Sequence, residues 1–371
     1  MQSYHEEKVG SNNTKEKICW FWSVLIFLAV FFSLFSKASD IFRKKHTDAD
    51  MVHSLYYLED NSIDVLAVGS SHLYYAYSPS KVWGDKGIPS FMLGDPAQTM
   101  AMAYYLLKEA LQFQQPKVVL LDSYGFYYDS FTNKEERLRV ALDNMKLFHG
   151  LKLNLNKIQM IQAAIPDASW QKKMTFLIPF SEYHARWNQL SQSDFTPDDG
   201  EWLLGGKLGF HCKSFDNPPK VKIQDVQLHA IQLEYLDKIR ALCEERDIQL
   251  VFCILPIACE KEDYYYENQY MNATLKKYLE EQNIPYLDVM ENAQEPIDYG
   301  KDFYDAGHVN YYGQVKLTES IEAYLEDHFQ LEDHREDPEY KEWNELYNIY
   351  LEHVKNAMNG KATEEKEGAE G

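Results

Sequence analysis

Five short apolar runs constrain the fold of this chain more than any other feature. They are Ile63–Val68 (IDVLAV), Ile88–Leu93 (IPSFML), Val118–Leu121 (VVLL), Leu250–Leu255 and Tyr286–Val289. Each is too short for a helix and lacks the alternation of a strand with one wet face, so each reads as a strand covered on both faces. Helical spacing falls between them, in Ala97–Phe113, Leu228–Arg246, near Asn272–Gln282 and in Tyr311–Phe329. Buried strands alternating with helices predict βαβ units. The fold class is therefore α/β, three layers (α/β/α) around a mostly parallel sheet of about five strands.

Roughly a hundred residues between the third and fourth runs break this rhythm. The stretch from Tyr124 to Asp225 has helical parts (Lys134–Phe148) and a Gly-rich, aromatic part (Trp202–Phe215). A structureless loop of that size is rare in a compact domain, so residues 125–225 read as an insertion or cap over the sheet edge. After about Leu331 the chain turns acidic, shows helical spacing in Tyr340–Met358, and ends in KATEEKEGAEG, the composition of a disordered end.

At the other end, residues 1–17 form a polar stub of mixed charge. From Ile18 to Phe35 no charged residue occurs, about the shortest length that spans a bilayer as a helix. Trp20 and Trp22 suit one membrane interface. A retained transmembrane anchor over 18–36, with a linker over 37–59, is the preferred reading. A cleaved signal peptide is the competitor, because Ser36-Lys37-Ala38 resembles a cleavage site. Lysines and arginines flank both sides of the run, so charge leaves its orientation open.

Of the 371 residues, 45% are hydrophobic and 14% aromatic, which supplies a sizeable core and excludes general disorder. The net charge of −21 excludes nucleic-acid binding through a general basic field. Cys19, Cys212, Cys243, Cys253 and Cys259 are scattered without a CxxC pair, which fits neither a disulfide framework nor a zinc site. Cys253 reads as a small core hydrophobe. No P-loop, GxGxxG, His-Glu-x-x-His or Gly-x-Ser-x-Gly occurs, and no metal or organic cofactor is expected.

Two short motifs carry chemistry. Gly69-Ser70-Ser71-His72 follows the first strand directly. In open α/β sheets the crevice beyond the carboxyl ends of the strands is where ligands bind, and a serine there can face it. Asp305-Ala306-Gly307-His308 precedes the last helix of the domain. A serine hydroxyl needs a base, histidine suits that task near neutral pH, and a carboxylate fixes the histidine tautomer. Each motif alone also reads as an ordinary turn. Together, at opposite ends of one sheet domain, they read as a Ser–His–Asp constellation.

This arrangement resembles the SGNH/GDSL hydrolase superfamily over about residues 60–330, and more narrowly its membrane-anchored DltD-like branch, the extracytoplasmic proteins of teichoic acid D-alanylation. The resemblance implies a flavodoxin-like fold, Ser71 as nucleophile, His308 as general base and Asp305 as its orienting carboxylate. It implies an oxyanion hole from the backbone N–H groups of Ser71 and of Gly94, in FMLGDPAQT. The family's Gly-x-Asn-Asp block is replaced by Leu121-Asp122-Ser123-Tyr124-Gly125, so the third oxyanion donor is unassigned, with Ser123 and Tyr124 as guesses. One lost donor costs on the order of 3 kcal/mol.

The branch further implies a single-pass protein of the cell membrane with its catalytic domain outside the cytoplasm. Its substrate would be an acylated polysaccharide, teichoic acid or other ester, and its partner a membrane-bound O-acyltransferase. His72 and Tyr124 read as substrate contacts or bystanders. The clusters Tyr74-Tyr75, Tyr124–Tyr128 and Tyr264–Tyr266 read as a saccharide cleft or, with better odds, as rim packing. The expected function is a serine esterase or O-acyltransferase; the alternative is a degenerate binding or scaffold partner of such an acyltransferase.

Overall fold

The computed structural model describes residues 3–44, 50–127, 134–195 and 206–369. In chain order its helices and strands are α1 (Ser3–Phe42), α2 (Asp50–Ser54), β1 (Val65–Gly69), α3 (Ser71–Ala76), α4 (Pro79–Lys86), β2 (Ser90–Gly94), α5 (Met100–Ala110) and β3 (Val118–Asp122). The connection to the fourth strand holds α6 (Lys134–Asp143), α7 (Met145–Gly150), α8 (Leu155–Ala164), α9 (Trp170–Leu177) and α10 (Pro179–Tyr183). Then come α11 (Ala230–Glu245), β4 (Gln249–Ile254), α12 (Glu262–Glu281), β5 (Tyr286–Asp288), α13 (Tyr311–His328) and α14 (Lys341–Ala369). The described chain falls into two compact units, Met1–Lys44 with Ile178–Pro197, and Lys45–Leu177 with Asp198–Gly371.

The larger unit holds the sheet. All five strands pair in parallel, in the order β2-β1-β3-β4-β5. Every residue of β1, β2 and β3 is buried, which is why these strands read as continuous apolar runs. Alternate residues feed opposite cores. Leu66, Val68, Phe91, Leu93, Val119, Leu121 and Phe252 pack with α5 and α11 on one face. Val65, Ala67, Met92, Val118, Leu120, Val251 and Cys253 pack with α3 and α13 on the other. The chain steps from β1 to β2 in one direction and then to β3 on the far side of β1. That reversal opens a crevice at the carboxyl ends of β1 and β3.

Several helix boundaries differ from the sequence reading for local reasons. Ala97 takes a positive φ of 53° and Thr99 caps its helix by accepting from Met102 N–H, so α5 starts at Met100 and not at Ala97. The third helix read near Asn272–Gln282 extends back to Glu262. Its first turns carry Tyr264, Tyr265, Tyr266 and Glu267, whose mixed polarity hides the helical period. The single helical stretch read over Lys134–Phe148 is two helices broken at Asn144. Within the 125–225 stretch, α8 packs on α5. The last helix continues through Ala369 into the stretch whose composition reads as disordered.

The smaller unit is built on α1. This helix runs past both ends of the 18–36 segment, from Ser3 to Phe42. Its stretch Glu16–Phe42, whose most apolar 18 residues have a mean hydropathy of 2.4, is long and apolar enough to cross a membrane, the only such stretch among the described residues. At 1.5 Å per residue it spans about 40 Å, against about 30 Å for a bilayer core.

Candidate active site

The site grows from the end of β1. A side chain on Gly69 would collide with the Cβ of Asp122 and crowd Leu73, so only glycine lets β1 end this close to β3. The Gln98 amide, oriented to satisfy both groups, accepts from Gly69 N–H (3.1 Å) and donates to Gly69 C=O (3.2 Å). Ser70 caps α3, its Oγ accepting from His72 N–H at 3.2 Å. Ser71 is the first residue of α3 and 9% exposed.

Asp305 and His308 sit on a tight loop pinned at its base by an antiparallel bridge between Phe303 and Val309. Tyr304 N–H donates to His308 C=O (2.9 Å), and Ala258 N–H, from the loop after β4, donates to Ala306 C=O (2.8 Å). Asn310 caps α13 by accepting from Tyr312 and Gly313 N–H. Helix capping thus falls to Asn310, and Asp305 is left to accept from Gly307 N–H (2.8 Å) and His308 N–H (2.9 Å).

The two loops meet. His308 Nε2 lies 2.7 Å from Ser71 Oγ, and His308 Nδ1 lies 2.8 and 2.9 Å from the two Asp305 oxygens. A carboxylate can only accept, so the Nδ1 nitrogen carries the proton and the Nε2 lone pair accepts from the serine hydroxyl. Partial burial pushes the Asp305 carboxyl up, but the His308 ring and the two backbone N–H groups outweigh it and hold it below the usual range. Serine, imidazole and carboxylate therefore stand in the order and at the distances that general-base activation of a hydroxyl needs.

Asp122, at the end of β3, was not singled out by sequence. It is buried, and its Oδ2 accepts from Ser70 N–H (2.9 Å) and from the Ser70 hydroxyl, while its Oδ1 accepts from Tyr124 N–H (2.8 Å). Burial pushes its carboxyl above the ordinary value, against the pull of these three donors. One carboxylate thus ties the turn after β1 to the turn after β3.

His72 is buried and joins the site. Its ring stacks on Tyr124, centroids 3.6 Å apart, and stands 5.1 Å from the His308 ring. Burial first, then the neighbouring His308, holds it well below the usual histidine range, so it stays neutral. A Cβ on Gly307 would lie 3.4 Å from His72 Cε1, so the Asp305–His308 loop rests on this ring. The Tyr124 hydroxyl bonds Tyr264 at 2.5 Å. Tyr75 packs against His308 (4.7 Å) and Tyr304 (5.5 Å). Tyr74, Tyr75 and Tyr124 are buried; Tyr128 and Trp202 lie outside the described residues. Gly94 stands level with Gly69 across β1 and β2, and a Cβ there would strike Gly69 C=O. Ser123 is buried beside Asp122.

The five cysteines are free, and Cys253 lies wholly buried in β4, as its apolar surroundings suggested. Among the described residues no three His, Cys, Asp or Glu side chains converge as metal ligands.

No family model matches the chain, and no curated protein matches it. Among solved structures it is similar to a GDSL-like lipase from Bacteroides thetaiotaomicron, with 10% identity over 76% of this chain and 99% of that one and a TM-score of 0.37. It is also similar to a putative acylhydrolase from Bacteroides fragilis, with 12% identity over 71% of this chain and 86% of that one and a TM-score of 0.35. Likenesses this distant leave the functional reading to the side-chain geometry.

Proposed function

We propose that this chain is a serine esterase or O-acyltransferase that works through Ser71, His308 and Asp305 on an acylated glycopolymer of the cell envelope. The observation that carries the reading is the Ser71–His308–Asp305 line, with 2.7 Å at the serine and 2.8 Å at the carboxylate. Ser71 Oγ attacks the ester carbonyl carbon as its proton passes to His308 Nε2. Asp305 stabilises the imidazolium and keeps its ring in place. The tetrahedral oxyanion is held by the backbone N–H groups of Ser71 and Gly94. Collapse breaks the bond to the leaving alcohol, which takes the proton from His308, and leaves Ser71 acylated. An acceptor hydroxyl then gives its proton to His308 and attacks the acyl carbon; the bond to Ser71 Oγ breaks, and Oγ takes that proton back from His308. Water as acceptor makes the protein an esterase; a sugar or polyol hydroxyl makes it a transferase.

The apolar stretch of α1 supports work at a membrane, where acyl carriers and wall polymers are within reach. A single-pass anchor with the site outside the cytoplasm, and a membrane-bound O-acyltransferase as partner, complete this reading. The test is intact-mass analysis of the full chain in detergent after treatment with a fluorophosphonate, beside Ser71→Ala. One adduct lost in the variant establishes an activated serine. No adduct on folded protein removes the mechanism and brings forward a scaffold that binds acylated polymer without turning it over.

A further inference from the structure

Residues 178–195 belong with α1, not with the sheet. Pro179 opens α10, and the Phe180 ring packs edge-on against Phe35 (5.6 Å) and Phe42 (5.2 Å). Phe180 N–H donates to Ser39 Oγ at 3.1 Å. Arg186 donates from Nη1 to the carbonyls of Phe42 (2.7 Å) and Arg43 (2.9 Å), among the carbonyls that a helix end leaves without intrahelical partners. Its Nη2 pairs with Asp194 at 2.7 Å. Lys44 lies over the Tyr183 ring at 5.8 Å. The segment is thus clamped to the last turns of α1, where the apolar stretch Glu16–Phe42 ends.

While Phe180 packs inward, two other large apolar side chains of the segment turn outward. Trp187 is 71% exposed and Phe195 62% exposed. Tryptophan is enriched where a bilayer meets water, because its ring has an apolar body and one polar N–H. The cation of Arg186 is already engaged by Asp194, so contact with lipid would rest on the aromatic side chains and not on headgroup charge. We propose that residues 178–195 are an interfacial element in which Trp187 and Phe195 sit in the headgroup layer of the bilayer that α1 crosses. The inference rests on the reading of α1 as a membrane anchor. It adds a second contact beside the span, which fixes the depth and rotation of the helix end.

The test uses the full chain in phosphatidylcholine nanodiscs, with the exposed or half-exposed Cys19, Cys212 and Cys259 replaced by serine and the buried Cys243 and Cys253 left in place. An environment-sensitive fluorophore is attached in turn at Trp187→Cys, Phe195→Cys, Phe27→Cys and, as a water-facing control, Lys341→Cys. Lipids carrying a quencher near the headgroup or deep in the acyl chain report depth. Positions 187 and 195 are expected to lose about half their emission or more to the shallow quencher and little to the deep one. Position 27 should respond to the deep quencher and position 341 to neither. If 187 and 195 behave like 341 while 27 is quenched, the interfacial element is wrong and the anchor stands. If 27 also escapes quenching, the anchor fails and takes the proposal with it.

Discussion

Asp122→Asn is the substitution that separates a positioning carboxylate from a merely buried one. The side chain keeps its shape and loses one acceptor. Asp122 meets three donors with two oxygens: Ser70 N–H and Oγ–H on Oδ2, and Tyr124 N–H on Oδ1. An asparagine that points its oxygen at Ser70 presents its NH2 to Tyr124 N–H, donor against donor. Turned the other way, it meets Ser70 N–H with a donor, while the Ser70 hydroxyl can rotate to accept. Either orientation orphans one buried backbone N–H, which costs about 1–3 kcal/mol.

Opposing this, the substitution removes a buried charge whose carboxyl is already pushed up by desolvation. Global stability should therefore change little, while the turn that carries Ser71 loosens. At 1.36 kcal/mol per decade, kcat/KM on an aryl ester and the rate of fluorophosphonate labelling should fall by about 10- to 100-fold with a near-native melting temperature. A variant that labels and turns over at the wild-type rate would show that Ser70 and Tyr124 hold their places without the carboxylate, and Asp122 would revert to a core residue. A variant that unfolds would show that the bonds serve stability first.

Other outcomes follow from the same geometry. Asp305→Asn puts an NH2 group against His308 Nδ1 and favours the wrong tautomer, so kcat on the same ester should drop by roughly 10⁴-fold, with circular dichroism unchanged. A drop under tenfold would remove Asp305 from the mechanism. Gly94→Ala drives a methyl group into Gly69 C=O, and chemical denaturation should register a loss of about 1–3 kcal/mol; an unchanged midpoint would mean that the two strand ends are free to part. His72→Phe keeps the stack on Tyr124 and removes a titrating ring. The folded-state pKa of His72 lies below its unfolded value near 6.5, so its stabilising neutral form is fully present above that pH. As pH falls below about 6.5 the unfolded chain takes up a proton that the folded chain does not, and stability declines by at most about 1.4 kcal/mol per pH unit from this group. The variant should show a flatter stability curve between pH 7 and 5, and a curve parallel to wild type would contradict a buried neutral His72.

What sequence could show was decided by which interactions are local. The strands were legible because a parallel strand covered on both faces is apolar at every position, and Val65–Gly69 needs no partner to look like one. Ser71 and the Asp305–His308 pair were legible because hydroxyl activation restricts residue type so strongly that three residues suffice to suggest it. Asp122 was not, since an aspartate after a strand is ordinary turn chemistry until the topology sets β3 beside β1. Its donors on Ser70 lie 52 residues away. The packing of His72 on Tyr124 was hidden for a related reason. A residue beside a nucleophile points elsewhere along an extended chain, but Ser71 begins a helix, and a helical step carries the next side chain around onto Tyr124. The association of 178–195 with α1 joins segments more than 130 residues apart, and its polar part includes one arginine reaching two carbonyls, a partner type that every residue offers equally. Chemistry that selects residue types leaves a trace in the sequence, whereas a side chain bonded to another segment's backbone leaves almost none. The hidden determinants of this site are accordingly side chain-to-backbone contacts, with Asp122 first among them.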